Sequence, residues 1–444
     1  MRLSRRSFIG TTGLAGLALA TARCADPTEA GSSEELLELD RPGGAPDAVA
    51  RDEAYWARVA AHYRIPSEYT NLEAGYFGMM AAPVLAEYHR QIDRVNYESS
   101  VFARRVFDDE FDAARDRVAQ YLGADPGEVV LTRGATEALQ RLIVQYNLLR
   151  PGDAVLYADL DYGAMQFAMN ALVELRGASV VRMAIPEPAT RDNVLAAYAE
   201  ALDANPRVRL VLVTHLNNKT GLIIPTKEIA AMARERGADT IVDAAHSFGQ
   251  CDLTLDDIGG DFVGMNLHKW LGAPIGAGAM YIKAGRLPDI DRMLGDDGPL
   301  DRIESRMHTG TANFATYLTV PAAIDFHESV GSAYKAARVR YLRDTWVSAV
   351  RDTPGIDVLT PDDRDLVAAI TSFRINGQTG RDENQAIVQE LFDRHKLFTV
   401  WRTGIAGGDC VRVTPALYNG PDDTQRLAAA LETIAARRPT RSSA

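Results

Sequence analysis

The feature that most limits the fold is an alternation. Seven short apolar runs rich in β-branched residues recur between residues 128 and 282. They are EVVLT (128–132), AVLYA (154–158), SVVRMA (179–184), VRLVLVT (208–214), TIVDA (240–244), DFVGMN (261–266) and AGAMYI (277–282). Amphipathic helical stretches such as 135–149 and 226–237 separate several of them. Runs so short and so continuously apolar fit strands buried on both faces, as in a parallel sheet covered by helices. The alternation predicts an α/β fold: a mostly parallel seven-stranded sheet with helices on both faces. In such a sheet ligands bind beyond the carboxyl ends of the strands.

At 444 residues the chain has room for two or three domains. Residues 76–320 hold the alternation and read as a large domain. Residues 321–444 carry longer helices and few strands, and read as a smaller α+β domain. Residues 51–75 join that small domain, starting with a helix over 51–64 that shows Trp56, Val59 and Tyr63 on one face. Residues 26–50 are rich in Pro, Gly and acids, and read as a linker.

The beginning of the chain is different. SRRSFIG precedes the weakly apolar TTGLAGLALATA, and this twin-arginine pair, Arg5 and Arg6, resembles a Tat export signal over residues 1–25. The apolar stretch is too short for a stable spanning helix. The expectation is a soluble periplasmic protein carried by the Tat translocase, with no stable membrane anchor. Cys24 is placed for lipoprotein anchoring, but Arg23 stands where a small residue is needed. A net charge of −12 argues against nucleic acid or an anionic membrane surface as partner.

Two of the seven runs end in chemistry. Asp243 closes TIVD, while His268 and Lys269 lie just beyond FVGMN. A carboxylate and an amine at neighbouring strand ends are what pyridoxal phosphate (PLP) requires. The lysine forms a Schiff base, and the aspartate keeps the pyridine nitrogen protonated. Spacing alone suits a surface lysine and a capping aspartate equally well. Lysine is rare here, however: positions 219, 227, 269, 283, 335 and 396 are the six lysines, against 42 arginines. Arginine stays protonated, so a lysine set among apolar and glycine residues points to chemistry that arginine cannot perform.

DAAHSFGQ followed by NLHKWLGAPIGAGAMYI resembles the signature of class V (cysteine-desulfurase-type) PLP enzymes, and is most similar to their isopenicillin N epimerase-like branch. The resemblance runs from about Asn71 to Asn419. It implies PLP fold type I, an amine or amino-acid substrate, and a homodimer with shared active sites. The turn TRGATEALQRLIV (132–144) reads from its residues as an anion site. Its helix N-terminus offers the Ala135 backbone and the Thr136 hydroxyl, although Thr136 with Glu137 would also make an ordinary cap. In the family the matching turn holds the cofactor phosphate.

By the same resemblance Tyr162 stacks on the ring, Asn218 bonds its phenolic oxygen, and His246 and His268 lie near ring and phosphate. TNLEAGYFGMMAAP (70–83) resembles the loop that lines the active site. HTGTAN (308–313) resembles the segment that lends a threonine, here Thr311, to the neighbouring subunit's phosphate. Arg412 matches the arginine that grips the substrate α-carboxylate with a planar fork, and Arg402 is a second candidate. Where desulfurases carry their nucleophilic cysteine this chain has Gly407. Cys251 and Cys410 read as inert small residues, too few for a disulfide framework, so persulfide transfer is not expected.

The expected activity is PLP-dependent chemistry at the α-carbon of an amino acid or amino-acyl group, of aminotransferase or epimerase type. Lys269 is its acid/base, Asp243 stabilises the carbanion, and Tyr162 fixes the ring. Alternatives with the same residues are a C–S lyase and a periplasmic siderophore- or peptide-tailoring enzyme. A non-catalytic PLP-binding protein is the alternative from another class.

Overall fold

The computed structural model describes residue 39, residues 42–308 and residues 310–438. The twin-arginine motif at Arg5 and Arg6, the apolar stretch after it and Cys24 lie outside the described residues. Among the described residues no helix is long and apolar enough to cross a membrane.

Seven strands build the main sheet: β1 (Val129–Thr132), β2 (Ala154–Ala158), β3 (Ser179–Met183), β4 (Val208–Thr214), β5 (Asp239–Asp243), β6 (Phe262–Asn266) and β7 (Gly278–Ile282). Their spatial order is β1-β7-β6-β5-β4-β2-β3. The β6-β5-β4-β2-β3 pairings are parallel, and only β7 runs against its two neighbours. Side chains alternate across this sheet into two cores. Val129, Leu131, Leu156 and Val242 enter one; Val130, Val155, Tyr157 and Ile241 enter the other. The apolar runs are continuous because both faces are dry.

A second sheet holds β8 (Ile356–Val358), β9 (Thr371–Ile375), β10 (Val400–Arg402) and β11 (Cys410–Val413), all antiparallel in the order β10-β11-β9-β8. It packs with the helices Ser332–Val350 and Pro421–Arg437 around Trp346, Phe373, Val411 and Leu431. Thr70 and Asn71 pair in parallel with Leu397 and Phe398, and Glu73 bridges to Thr414 just beyond β11. This pairing carries the loop after residue 71 past the end of β11.

Two boundaries differ from the expectation. The linker read over 26–50 ends inside the fold: Pro46–Val49 form a helical turn, Val49 and Ala50 are buried, and Arg338 donates to the Ala50 carbonyl at 2.9 Å. Proline at the first helical position and two apolar residues behind it outweigh the preceding Gly-Gly pair. The helix expected over 51–64 is α1 (Glu53–Ala60), capped by Asp52, with Trp56 and Val59 buried and Tyr63 beyond its end.

Candidate active site

A cavity of about 610 Å³ opens at the carboxyl ends of β1, β4, β5 and β6 and reaches Arg402 and Arg412 on the second sheet. It is lined by Ala135, Thr136, Tyr162, Asn218, Asp243, His246, His268, Lys269, Arg402 and Arg412, residues that lie up to 277 positions apart in sequence. Of the residues expected at the site only Thr311 stands elsewhere: it is exposed and does not line the cavity.

Helix α2 (Ala135–Gln145) starts at the cavity floor without a side-chain cap. The Ala135 N–H donates to Asn266 Oδ1 at 2.8 Å, which ties the start of α2 to the end of β6. The next N–H groups of the first turn have no partner within the helix. They face the cavity beside the Thr136 hydroxyl, a favourable place for an anion. The helix packs so tightly on β6 that a Cβ at Gly264 would meet Leu139 Cγ at 2.5 Å.

Tyr162 follows β2 and precedes α3 (Gly163–Arg176); the residue is 43% exposed and lines the cavity. Behind it Asp161 accepts from the Ala158 and Thr214 N–H groups, both at 2.8 Å, and from the Thr214 hydroxyl at 2.7 Å. Those bonds lock the ends of β2 and β4 together. Burial pushes the Asp161 carboxyl up to about 7. Asn218 follows β4, and its buried side-chain oxygen has no partner.

Asp243 is 3% exposed and accepts from the Ala245 N–H at 2.9 Å. Burial raises its carboxyl above the ordinary range, against the pull of that N–H and of Lys269. Lys269 Nζ stands 2.9 Å from His246 Nε2, and Trp270 Nε1 stands 3.3 Å from His246 Nδ1. An indole N–H only donates, so Nδ1 of His246 accepts. The neutral imidazole then carries its proton on Nε2 and turns that N–H toward Lys269. Only an uncharged amine can accept it.

The electrostatics agree. Burial lowers Lys269 to about 8; Asp243 opposes the shift, and Arg412 and Arg402 add to it. Burial and the neighbouring Lys269 hold His246 well below its ordinary value. His268 stands with Nδ1 2.7 Å from the Ala277 carbonyl, which fixes Nδ1 as its protonated nitrogen. Burial lowers its basicity as well.

The far wall holds two guanidinium groups. Arg412 is 1% exposed; Nη1 donates to the Asn218 carbonyl at 2.7 Å and Nη2 to Glu73 Oε1. Arg402 Nη2 lies 3.5 Å from the same oxygen. Burial, with Arg412 next to it, lowers Arg402 to about 10. The loop after residue 71 must press close to do this. A Cβ at Gly75 would meet Arg412 Nη2 at 2.6 Å, and one at Gly78 would collide with the Lys269 carbonyl. The Gly78 N–H donates to the His268 carbonyl at 2.9 Å.

The residues present fit PLP. There is an uncapped helix N-terminus for a phosphate, a buried carboxylate, an aromatic wall, the Asn218 side-chain amide as a donor for a phenolic oxygen and a lysine of lowered basicity. Sequence reasoning missed Glu73, Asn266, Trp270 and Asp161. Asn266 and Asp161 carried a usable signal, a polar residue at the end of an apolar run. Neither Cys251 nor Cys410 lines the cavity. Burial pushes the Cys410 thiol up to about 11.

Comparison with known proteins agrees with this geometry. A sequence model of the family "Aminotransferase class-V" matches residues 82–392. The isopenicillin N epimerase of Streptomyces clavuligerus is 29% identical over 72% of this chain and 83% of its own. That of Amycolatopsis lactamdurans is 28% identical over 85% of this chain and 98% of its own. Among solved structures, a cysteine desulfurase from Escherichia coli superposes with a TM-score of 0.71 at 21% identity, covering 85% of this chain and 98% of that one.

Proposed function

Because the chain belongs to the class-V aminotransferase family, we propose that it is a PLP-dependent enzyme that moves a proton at the amine-bearing carbon of its substrate, as an aminotransferase or an epimerase does. When bound, PLP supplies a sink for the electrons left on that carbon. The observation that carries the reading is Lys269, an amine whose basicity burial lowers to about 8 and whose Nζ stands 2.9 Å from His246 Nε2. Asp243 is the buried anion that keeps a pyridine nitrogen protonated. The first turn of α2 with Thr136 holds the phosphate, Tyr162 covers the ring and Asn218 bonds its phenolic oxygen. Lys269, once the substrate amine has displaced it, carries the proton to and from the reacting carbon. Persulfide transfer is disfavoured, since no cysteine of the described residues reaches the cavity.

The test is exchange of the substrate proton in deuterated water, with product analysis. A 2-oxo acid or aldehyde marks transamination, an inverted centre marks epimerisation, and released ammonia with sulfide marks a C–S lyase. Absence of exchange with every amine and amino acid offered, PLP being bound, would overturn the proposal.

A second reading rests on the Arg5–Arg6 pair, which resembles a Tat signal. In it the enzyme is exported by Tat and tailors a peptide or siderophore in the periplasm. The active form in both readings is a homodimer in which exposed Thr311 reaches the neighbouring phosphate site.

A further inference from the structure

A second lysine is buried close behind Lys269. Lys335, on the helix Ser332–Val350, is 6% exposed. A lysine is almost never buried this deeply without a counter-ion. Arg338 and Arg343, buried on the same helix, pair with Glu53 and Asp344. Lys335 pairs with no carboxylate of the described residues, and burial alone brings it down to about 7. An apolar side chain of the same length would fill this place at less cost, so the contacts of the amine set it apart.

Lys335 Nζ donates to the Trp270 carbonyl and lies 3.4 Å from His327 Nδ1. His327 Nε2 stands 2.8 Å from Ser332 Oγ and 3.2 Å from Tyr121 Oη. With the His327 proton on Nε2, the two N–H groups of an uncharged amine serve both acceptors, so these contacts do not depend on the charge of Lys335. The Trp270 carbonyl belongs to the turn Lys269–Gly272, closed by the Gly272 N–H on the Lys269 carbonyl at 3.1 Å. Among the described residues no backbone N–H donates to that Trp270 carbonyl; Lys335 does. The indole of the same tryptophan meets His246 Nδ1, and His246 Nε2 faces Lys269. Lys335 and Lys269 also border one small pocket of about 40 Å³, together with His327, Tyr63 and Tyr418.

We propose that Lys335 is a positioning residue for Lys269: by holding the Trp270 carbonyl it seats the indole on His246, and so sets which imidazole nitrogen faces the reactive amine. This rests on the proposed PLP chemistry only for what Lys269 does, since the tautomer is a property of the chain itself.

Two measurements test this, and the first needs no cofactor. Nitrogen NMR of the full-length apoprotein labelled at histidine reads the His246 tautomer, its signal assigned by its loss in His246→Asn. The parent should carry the proton on Nε2. Lys335→Met keeps the length of the side chain without its N–H groups, and should populate the form protonated on Nδ1. In the second, PLP capture is trapped with borohydride across a pH series. Lys335→Met should move the midpoint up by about half a pH unit or more, about threefold in uncharged amine at a given pH. Adding Lys335→Met to Trp270→Phe should move it no further, because both act on one contact. The parent's tautomer or capture profile retained in Lys335→Met, even with a lowered melting temperature, or shifts that add in the double variant, overturns the proposal. Should Lys335→Met not fold, Lys335→Leu takes its place. If no pyridoxyl group forms on Lys269, the proposed function fails while the His246 tautomer still decides this inference.

Discussion

Asp243→Asn, followed through the pH dependence of PLP capture, probes the electrostatics of the site. Burial holds Lys269 at about 8 in place of the ordinary 10.5, which disfavours its charged form by about 3 kcal/mol. At neutral pH roughly one Lys269 in ten is then an uncharged amine, against about one in three thousand for an exposed lysine, a gain of about 300-fold in nucleophile. Asp243 is the strongest influence opposing that shift. Removing its charge should lower the Lys269 midpoint further and move the capture profile to lower pH. The assay mixes apoprotein with PLP across a pH series, traps with borohydride, and reads the pyridoxyl content against time. The parent should reach half its limiting rate near pH 8, and Asp243→Asn below it. A parent midpoint close to 10.5, or an upward move in Asp243→Asn, would refute the reasoning.

Trp270→Phe keeps the ring packing but removes the N–H that fixes the His246 tautomer. The imidazole can then turn a lone pair toward Lys269 and accept from its ammonium, so the same capture profile should move to higher pH. Gly78→Ala drives a methyl group into the Lys269 carbonyl; equilibrium dialysis should show PLP affinity reduced by about tenfold or more, in line with overpacking costs of about 1–3 kcal/mol. For export, the double substitution Arg5→Lys and Arg6→Lys should leave the protein in the cytoplasm on cell fractionation, while the parent appears in the periplasm.

The sheet was legible because burial on both faces writes a continuous apolar run. AVLYA and VRLVLVT coincide with β2 and β4 to the residue. Helix ends were less legible. The amphipathic pattern over 135–149 continues past α2, but Tyr146 leaves the helix with extended backbone. Its hydroxyl donates to Asp239 at 2.6 Å and its ring packs on Phe262, contacts made with distant strands. At the site, Asp243 and Lys269 stood out because each follows an apolar run and lysine is scarce. Glu73 had no such signal. It is one of 60 acids, in a loop, and acquires its meaning only when Thr414 and Arg412 arrive from more than three hundred residues away. Trp270 stayed hidden because it acts through His246.

The most direct measurement is the identity of the lysine that holds the cofactor. Borohydride reduction of the PLP-loaded protein, followed by peptide mapping, should place the pyridoxyl group on Lys269 alone, and Lys269→Ala should retain none. Lys219 and Lys335 are also buried, and burial lowers both from their ordinary values. A pyridoxyl group on either of them, or on no lysine, would contradict the account.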